Sequence, residues 1–438
     1  MRWSAPADKA VVEAVIATFC DSAEQACMRL STLRHREWER TYQWLDASGM
    51  ALYFLDQVQT LGIEDMLPAA ALGRLRQNLA DNRRRSAVML TEFISINRAF
   101  LQADVKYCNI KGFTLSPGYC PNPALRCQLD FDFLVDGNQL ELCRHILAEA
   151  GYVLTAATKT VWEFKAGSSE LTRIEDHYKP RPQRAVELHF SCSATASEEP
   201  SCDERLDRLA QRTWDDHSFP TLSASDQFVG QTLHLFSHLR SSYTRLSWLL
   251  EYKRYVSARY EDQLFWEDVR RRSDTHRQAF LAIGLATKIS TQVLGGSAPA
   301  QLNEWTLDRL PAPIRLWADC YGRKAVLAGF PGTKLYLLLE DELARNDNLW
   351  RKKKLSKLLP LHRVPRITCS GPNESRRTRL RKKFYQARFT LFRLRFHIVE
   401  GLRFVTEAWR WRRYLAAQPS YELSSRTEKP CLSKGCES

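Results

Sequence analysis

Apolar residues recur at three- and four-residue intervals through most of the first hundred positions. VVEAVIATFC, EWERTYQWLDASGMALYFLDQVQTLG and AALGRLRQNLADNRRRSAVMLTEFISINRAFLQA all carry this spacing, which predicts amphipathic helices. Gly62 and Pro68 mark breaks between them, and Arg83, Arg84 and Arg85 read as a solvated helix face. The period then falls to two. VKYCNIKGF, LDFDFLV, TKTVWEFKA, ELTRIEDHYK and RAVELHF read as strands, separated by GSS and PRPQ. Between the second and third of these, NQLELCRHILAEAGY reads as a helix ending at Gly151. Helical spacing returns from residue 196, through SASDQFVGQTLHLFSHLRSSYTRLSWLLEYKRYVS to APIRLWADCYGRKAVLAG. The pattern divides the chain into a helical scaffold (1–100), an α/β core (101–195), a helical lobe (196–345), a basic helical extension (346–416) and a disordered tail (417–438). The predicted class is α+β, a small mixed sheet flanked by N- and C-terminal helical regions.

Composition adds bounds. A chain of 438 residues with 44% hydrophobic content buries large cores and favours two or three domains. Its longest apolar runs, such as FLAIGLA, are far too short for a membrane span. Asp8 and Glu13 interrupt any export signal, and the twelve cysteines show no C-x-x-C pair. Reduced thiols in a cytoplasmic protein are therefore expected. The net charge of +14 is uneven: residues 351–413 hold 20 Lys/Arg against 3 Asp/Glu, or +17, leaving −3 elsewhere. That segment is broken by Pro360, Pro365 and Pro372, then runs as an Arg- and aromatic-rich helix over 381–415, interrupted at Gly401. Arg388, Arg395 and Arg403 share wheel sectors with Phe392, Phe396 and Val399, so its faces separate poorly. A solvated basic helix is the expectation, with contact to an anionic surface, membrane or nucleic acid, as the alternative.

The chemistry concentrates in residues 111–135, KGFTLSPGYCPNPALRCQLDFDFLV. In LDFDFLV strand alternation points Asp130 and Asp132 to one face and Phe131 and Phe133 to the other. Two adjacent carboxylates repel unless a cation sits between them. Oxygen ligands of this kind suit Mg²⁺ or Mn²⁺ bound together with substrate phosphates. In RAVELHF, Glu187 and His189 share a face. A strand aligned with the Asp-x-Asp strand makes Glu187 a third acid, holding a second ion or taking a proton from a nucleophile.

This ordered set of Lys-Gly, Arg, Asp-x-Asp, helix and Val-Glu-Leu-His resembles the nucleotidyltransferase-like proteins of the polymerase-beta superfamily. Within it, the set is similar to a poorly characterised bacterial branch of nucleotidyltransferase family proteins, over roughly residues 85–255. The resemblance implies transfer of a nucleotidyl group from an NTP to an unknown acceptor, with release of pyrophosphate. It implies Asp130, Asp132 and Glu187 as catalytic and metal-holding acids. It places Gly112 where the helix after the first strand approaches the triphosphate. Lys-Gly stands where better-known members carry Gly-Ser, so Lys111 and Arg126 are expected to supply the phosphate-binding charge. Glu251, in WLLE, stands where the branch carries an Asp.

Blander readings stand beside these. His189 reads as a satisfied strand histidine, and His177 carries no assigned role. Tyr119 and Phe113 read as packing residues. His234 and His238 share a helix face but lack the neighbouring Glu of a zinc motif. Two other functions fit an Asp-x-Asp. A glycosyltransferase using a nucleotide sugar requires a doubly wound domain before the motif, and a catalytically silent binding module requires neither acid.

Overall fold

The structure, a computed structural model, describes residues 7–20, 23–167, 177–181, 183–192, 200–214, 216–274, 276, 278–344, 349–360 and 375–417. It shows an α+β fold whose strands form a seven-stranded mixed sheet. The chain divides into two compact units, one of residues 1–238 and 244–309, the other of 239–243 and 310–438.

The first unit opens with helices Lys9–Ala17, Ala23–Ser31, His35–Ala47 and Ala51–Thr60, followed by the long helix Ala69–Gln102. The strands are β1 (Tyr107–Asn109), β2 (Phe131–Val135), β3 (Val153–Ala157), β4 (Val161–Ala166), β5 (Arg184–His189), β6 (Ser191–Cys192), β7 (Pro200–Ser201), β8 (Leu209–Trp214) and β9 (His217–Leu222). Seven of them pair in the order β3-β4-β5-β2-β1-β9-β8, while β6 and β7 form a separate ladder. β2 runs parallel to β5 and antiparallel to β1, and β1 runs parallel to β9.

Alternation in β2 sorts its residues between two layers. Phe131 and Phe133 enter the main core with Phe93, Ile96 and Phe100 of the long helix. Those three residues stand at i, i+3 and i+7, one stripe of a helix. Phe133 lies 5.3 Å from Phe100, ring centroid to centroid, in an edge-on arrangement. Leu134 faces the other side, where it packs with Cys108, Leu206 and Leu222. A buried polar bridge then fixes the sheet against the helix. Asn109 Nδ2 donates to Asn97 Oδ1 at 2.7 Å and to the Pro220 carbonyl at 3.0 Å, and Tyr107 Oη donates to Asn97 Oδ1 at 2.9 Å. An unmet partner in such a bridge is costly, so it ties helix, β1 and β9 into one alignment.

Two expectations need correction. The region from 196 does not return directly to helix: β8 and β9 extend the sheet, and the helix Ala224–Leu239 starts only afterwards. Each arm is only six residues long; β9 pairs with the distant β1, and β8 pairs with β9. Arg85 is not solvated. It is buried, donating from Nη1 to the His177 carbonyl at 2.8 Å. Most of the ELTRIEDHYK stretch lies outside the described residues, as does nearly all of the 417–438 tail. Among the described residues before β1 no strand occurs, only helices and their connections, so no doubly wound parallel domain stands there. No helix among the described residues is long and apolar enough to cross a membrane, and their cysteines at 20, 108, 120, 127, 143, 192, 202 and 320 are free.

The second unit is helical, and includes Ala312–Trp317, Tyr336–Leu343, Trp350–Leu358 and Arg376–Ala416. The helix Trp350–Leu358 occupies part of what reads as a loose connector. The last helix runs unbroken through Gly401. An interior glycine costs only about 1 kcal/mol, and packing of Phe396, Glu400 and Phe404 on either side offsets that.

Truncating Phe133, which is fully buried, should remove about 3–5 kcal/mol of stability. Val153→Ala on the exposed edge strand should change it by less than about 0.5 kcal/mol. Urea unfolding midpoints of the two variants check the contrast.

Candidate active site

Parallel pairing of β2 and β5 places Asp132 directly opposite Glu187. Both carboxylates rise from the face opposite Phe131 and Phe133, and His189, two residues along β5, shares that face. His189 Nε2 lies 3.1 Å from Asp132 Oδ1 and 3.3 Å from Glu187 Oε2. One ligand atom from each of Asp132, Glu187 and His189 fits within 4.8 Å of the others, the one such group among the described residues. Asp130 stands just before β2 on the same face but outside this group. Across β5, Glu163 of β4 pairs in register with Glu187, but its carboxylate is held by Lys165 Nζ at 2.7 Å.

The turn after β1 brings a cation to the acids. Lys111 Nζ donates to Asp132 Oδ1 at 2.6 Å. Gly112 follows at φ +64°, where a Cβ would sit 2.2 Å from Gln128 Nε2. A side chain there is strained by the positive φ and would displace the Gln128 side chain. Gln128 Nε2 in turn donates to the Asp130 carbonyl at 2.9 Å, so the turn and the acid strand lock together. The helix Ala224–Leu239 supports the turn from behind. Gln227 Nε2 donates to Thr114 Oγ1 at 3.0 Å, and Gln231 Nε2 donates to the Ile110 carbonyl at 3.0 Å. Arg212 of β8 also donates to the Thr114 carbonyl.

Arg126 does not reach either aspartate. Its Nε donates to Glu251 Oε1 at 3.3 Å, and Tyr53 Oη donates to the same oxygen at 2.8 Å. Glu251 is buried, so its role here is to hold Arg126. Asn82 fixes the Arg126 loop, donating from Nδ2 to the carbonyls of Ala124 and Arg126. Tyr119 stacks on Tyr255 with centroids 4.0 Å apart, and Phe113 joins the main core.

The two aspartates shift in opposite directions. Burial raises the Asp132 carboxyl, but the Lys111 charge and the His189 hydrogen bond overcome it and hold the group well below the usual range. Burial raises Asp130 to about 6, with the negative charges of Asp132 and Glu187 adding to the effect. Burial lowers His189, yet its bonds to Asp132 and Glu187 leave its pKa above the usual histidine value. Carboxylates pushed apart in this way mark functional sites.

Reading the sequence undervalued one histidine. His189 bridges Asp132 and Glu187, and its placement two residues after Glu187 on a strand was the available signal. His234 lies one helical stripe from Gln227 and Gln231, at i+7 and i+3. Burial, with Lys111 and His238 nearby, pushes it down to about 3. It packs against Trp248 rather than serving as one of a metal-ligand pair.

A mixed sheet with acids in register on adjacent strands and a Lys-Gly turn beside them defines a nucleotidyltransferase-type core. A family model described as "uncharacterised nucleotidyltransferase" matches residues 34–293, more than half of the chain, and the chain belongs to that family. None of the curated proteins matches it.

The low pKa of His234 makes a pH prediction. Its folded value lies below the unfolded value of about 6.5, so its contribution to stability is present above that pH. The contribution is lost as pH falls from about 6.5 toward 3. His234→Asn, neutral throughout, should flatten the fall of the unfolding midpoint across that window. Midpoints measured at half-unit pH steps for both proteins check it.

Proposed function

We propose that this protein moves a nucleotidyl group from an NTP to an acceptor hydroxyl or phosphate oxygen, releasing pyrophosphate. The observation that carries the proposal is the register of Asp132 with Glu187, with Lys111 and His189 already gathered on the same carboxylates. Membership of the nucleotidyltransferase family supports nucleotidyl transfer in general.

Two carboxylates and an imidazole whose ligand atoms lie within 4.8 Å form a donor set suited to a divalent cation. The oxygens favour Mg²⁺ or Mn²⁺, and the imidazole is compatible with Mn²⁺. Asp132 and Glu187 would hold the cation, with Asp130 adjoining. When bound, the ion neutralises charge on the triphosphate and on the attacking oxygen. The remaining work falls to the chain itself. Lys111, freed from Asp132 by the change in charge around it, turns its ammonium to the phosphates. Arg126, steadied by Glu251 and Tyr53, adds a second positive charge beside the acids. The acceptor oxygen bonds to the α-phosphorus as the bond to the β-phosphate oxygen breaks, and pyrophosphate leaves with that electron pair. Glu187 is the more open of the opposed acids, 30% exposed against 4% for Asp132, and it takes the acceptor's proton. His189 is a positioning residue that keeps Asp132 and Glu187 facing inward.

A thermal-shift panel of the four NTPs with Mg²⁺ or Mn²⁺ tests this. At a hundred times its Kd, a ligand that binds only the native state adds about 2.7 kcal/mol. One NTP should raise the melting temperature only with metal, and Asp132→Asn and Glu187→Gln should abolish the shift. Lys111→Ala should weaken NTP binding by about tenfold or more, the loss of a charge-assisted contact. Pyrophosphate release should fall at least about a hundredfold in Asp132→Asn. Absence of any metal-dependent NTP shift in the folded wild type would sink the proposal, and stabilisation by a nucleotide sugar alone would replace it with glycosyl transfer.

A further inference from the structure

The helix Arg376–Ala416 carries two apolar faces rather than one. The inner face is Phe396, Phe404, Trp411 and Leu415, all buried. Trp411 packs edge-on against Tyr321 at 5.9 Å. The second face points to solvent. Phe384, Leu391, Ile398 and Val405 recur every seven residues, with Leu394 and Leu402 filling the intervals. All six are between 52% and 68% exposed. At about 100° per residue they fall in one narrow stripe, opposite the buried face. A wheel drawn from sequence averages these two faces together, which is why they look unseparated there.

The stripe has charge of one sign along its borders. Arg381 and Arg395 flank it on one side, Lys383 and Arg412 on the other, and all four are exposed. The helix has thirteen Lys or Arg and two Glu. Both acids are engaged elsewhere: Glu400 is buried and accepts from the Lys334 backbone N–H at 3.3 Å, and Glu407 accepts from Tyr321 Oη at 3.0 Å. The exposed face therefore offers apolar surface bordered by uncompensated positive charge. Exposed Trp409 ends the stripe, with the Arg413 guanidinium 4.8 Å above its ring.

We propose that this face is an interfacial surface for anionic lipid, with the helix lying in the headgroup plane. From Phe384 to Trp409 the stripe runs about 38 Å at 1.5 Å per residue, and basic flanks beside a Leu/Phe/Trp face are the pattern of a helix that lies in a membrane interface. The borders suit anionic headgroups, each basic side chain adding attraction near such a surface. A second copy of the chain fits less well. The seven-residue period suits helix pairing, but the flanking positions then set Arg381 and Arg395 against Lys383 or against themselves, with no acid to pair them. Nucleic acid fits less well too, since the centre of the face has nothing to donate to phosphates.

The test is co-sedimentation of the full chain with vesicles of phosphatidylcholine alone, or with part of that lipid replaced by phosphatidylserine. The protein should pellet with the anionic vesicles and stay soluble with the neutral ones. Leu394→Glu/Ile398→Glu should weaken binding at least about tenfold, with the melting temperature unchanged because both residues are exposed. Arg381→Glu/Arg395→Glu should weaken it comparably by the electrostatic route, and it keeps the test sound should the first variant fold poorly. Failure to pellet with anionic vesicles overturns the proposal, as does pelleting that both variants leave intact. A duplex DNA or RNA gel shift without vesicle binding assigns the face to nucleic acid instead. A dimer in sedimentation velocity that Leu394→Glu/Ile398→Glu dissolves, again without vesicle binding, assigns it to self-association.

Discussion

The parallel register of β2 with β5 is the constraint on which the rest of the site depends. It sets the Asp132 and Glu187 carboxylates side by side on a mostly buried face. Left alone, that arrangement carries a large repulsion and desolvation cost. The fold answers with Lys111 from the turn after β1 and with His189 from β5 itself, both bonded to Asp132. One acid is thereby stabilised as the anion, while Asp130, with less compensation, is pushed toward its neutral form. The result is a cluster in which one lysine and one imidazole balance closely spaced carboxylates.

Support for this register comes from outside the two strands. Phe131 and Phe133 anchor β2 to the long helix, so a one-residue slip would bury the acids and expose the rings. The Asn97–Asn109–Pro220 bridge fixes β1 between that helix and β9, and β1 delivers Lys111. Gly112 keeps its turn tight against Gln128, and Gln227 and Gln231 hold the same turn from the following helix. Each contact removes freedom from a group around the acids, the usual structural condition for a preorganised site.

The second unit follows different physics. Its last helix satisfies one apolar face internally and leaves another in water, bordered by arginine and lysine. Exposing so much aligned apolar surface is unfavourable for a helix with no partner. Two inward glutamates leave the outer borders uniformly positive.

Much of the site was legible in local order. Asp130 and Asp132 with Phe131 and Phe133, and Glu187 with Val186 and Leu188, declare their faces through strand alternation alone, because that period is a covalent property of the backbone. Helical spacing likewise marked the scaffold and the final helix. Other features were not visible because they rest on contacts between distant segments. β9 became a strand by pairing onto β1 and β8 by pairing onto β9, Arg85 was drawn inward by the His177 carbonyl, and Arg126 found Glu251 instead of an aspartate. The residues and their alternation were determined by the sequence. Which strand stands beside which, and therefore that Glu187 faces Asp132 with His189 bridging them and Lys111 on Asp132, was decided only by the tertiary structure, since register is set by long-range burial and hydrogen bonding that no local window contains.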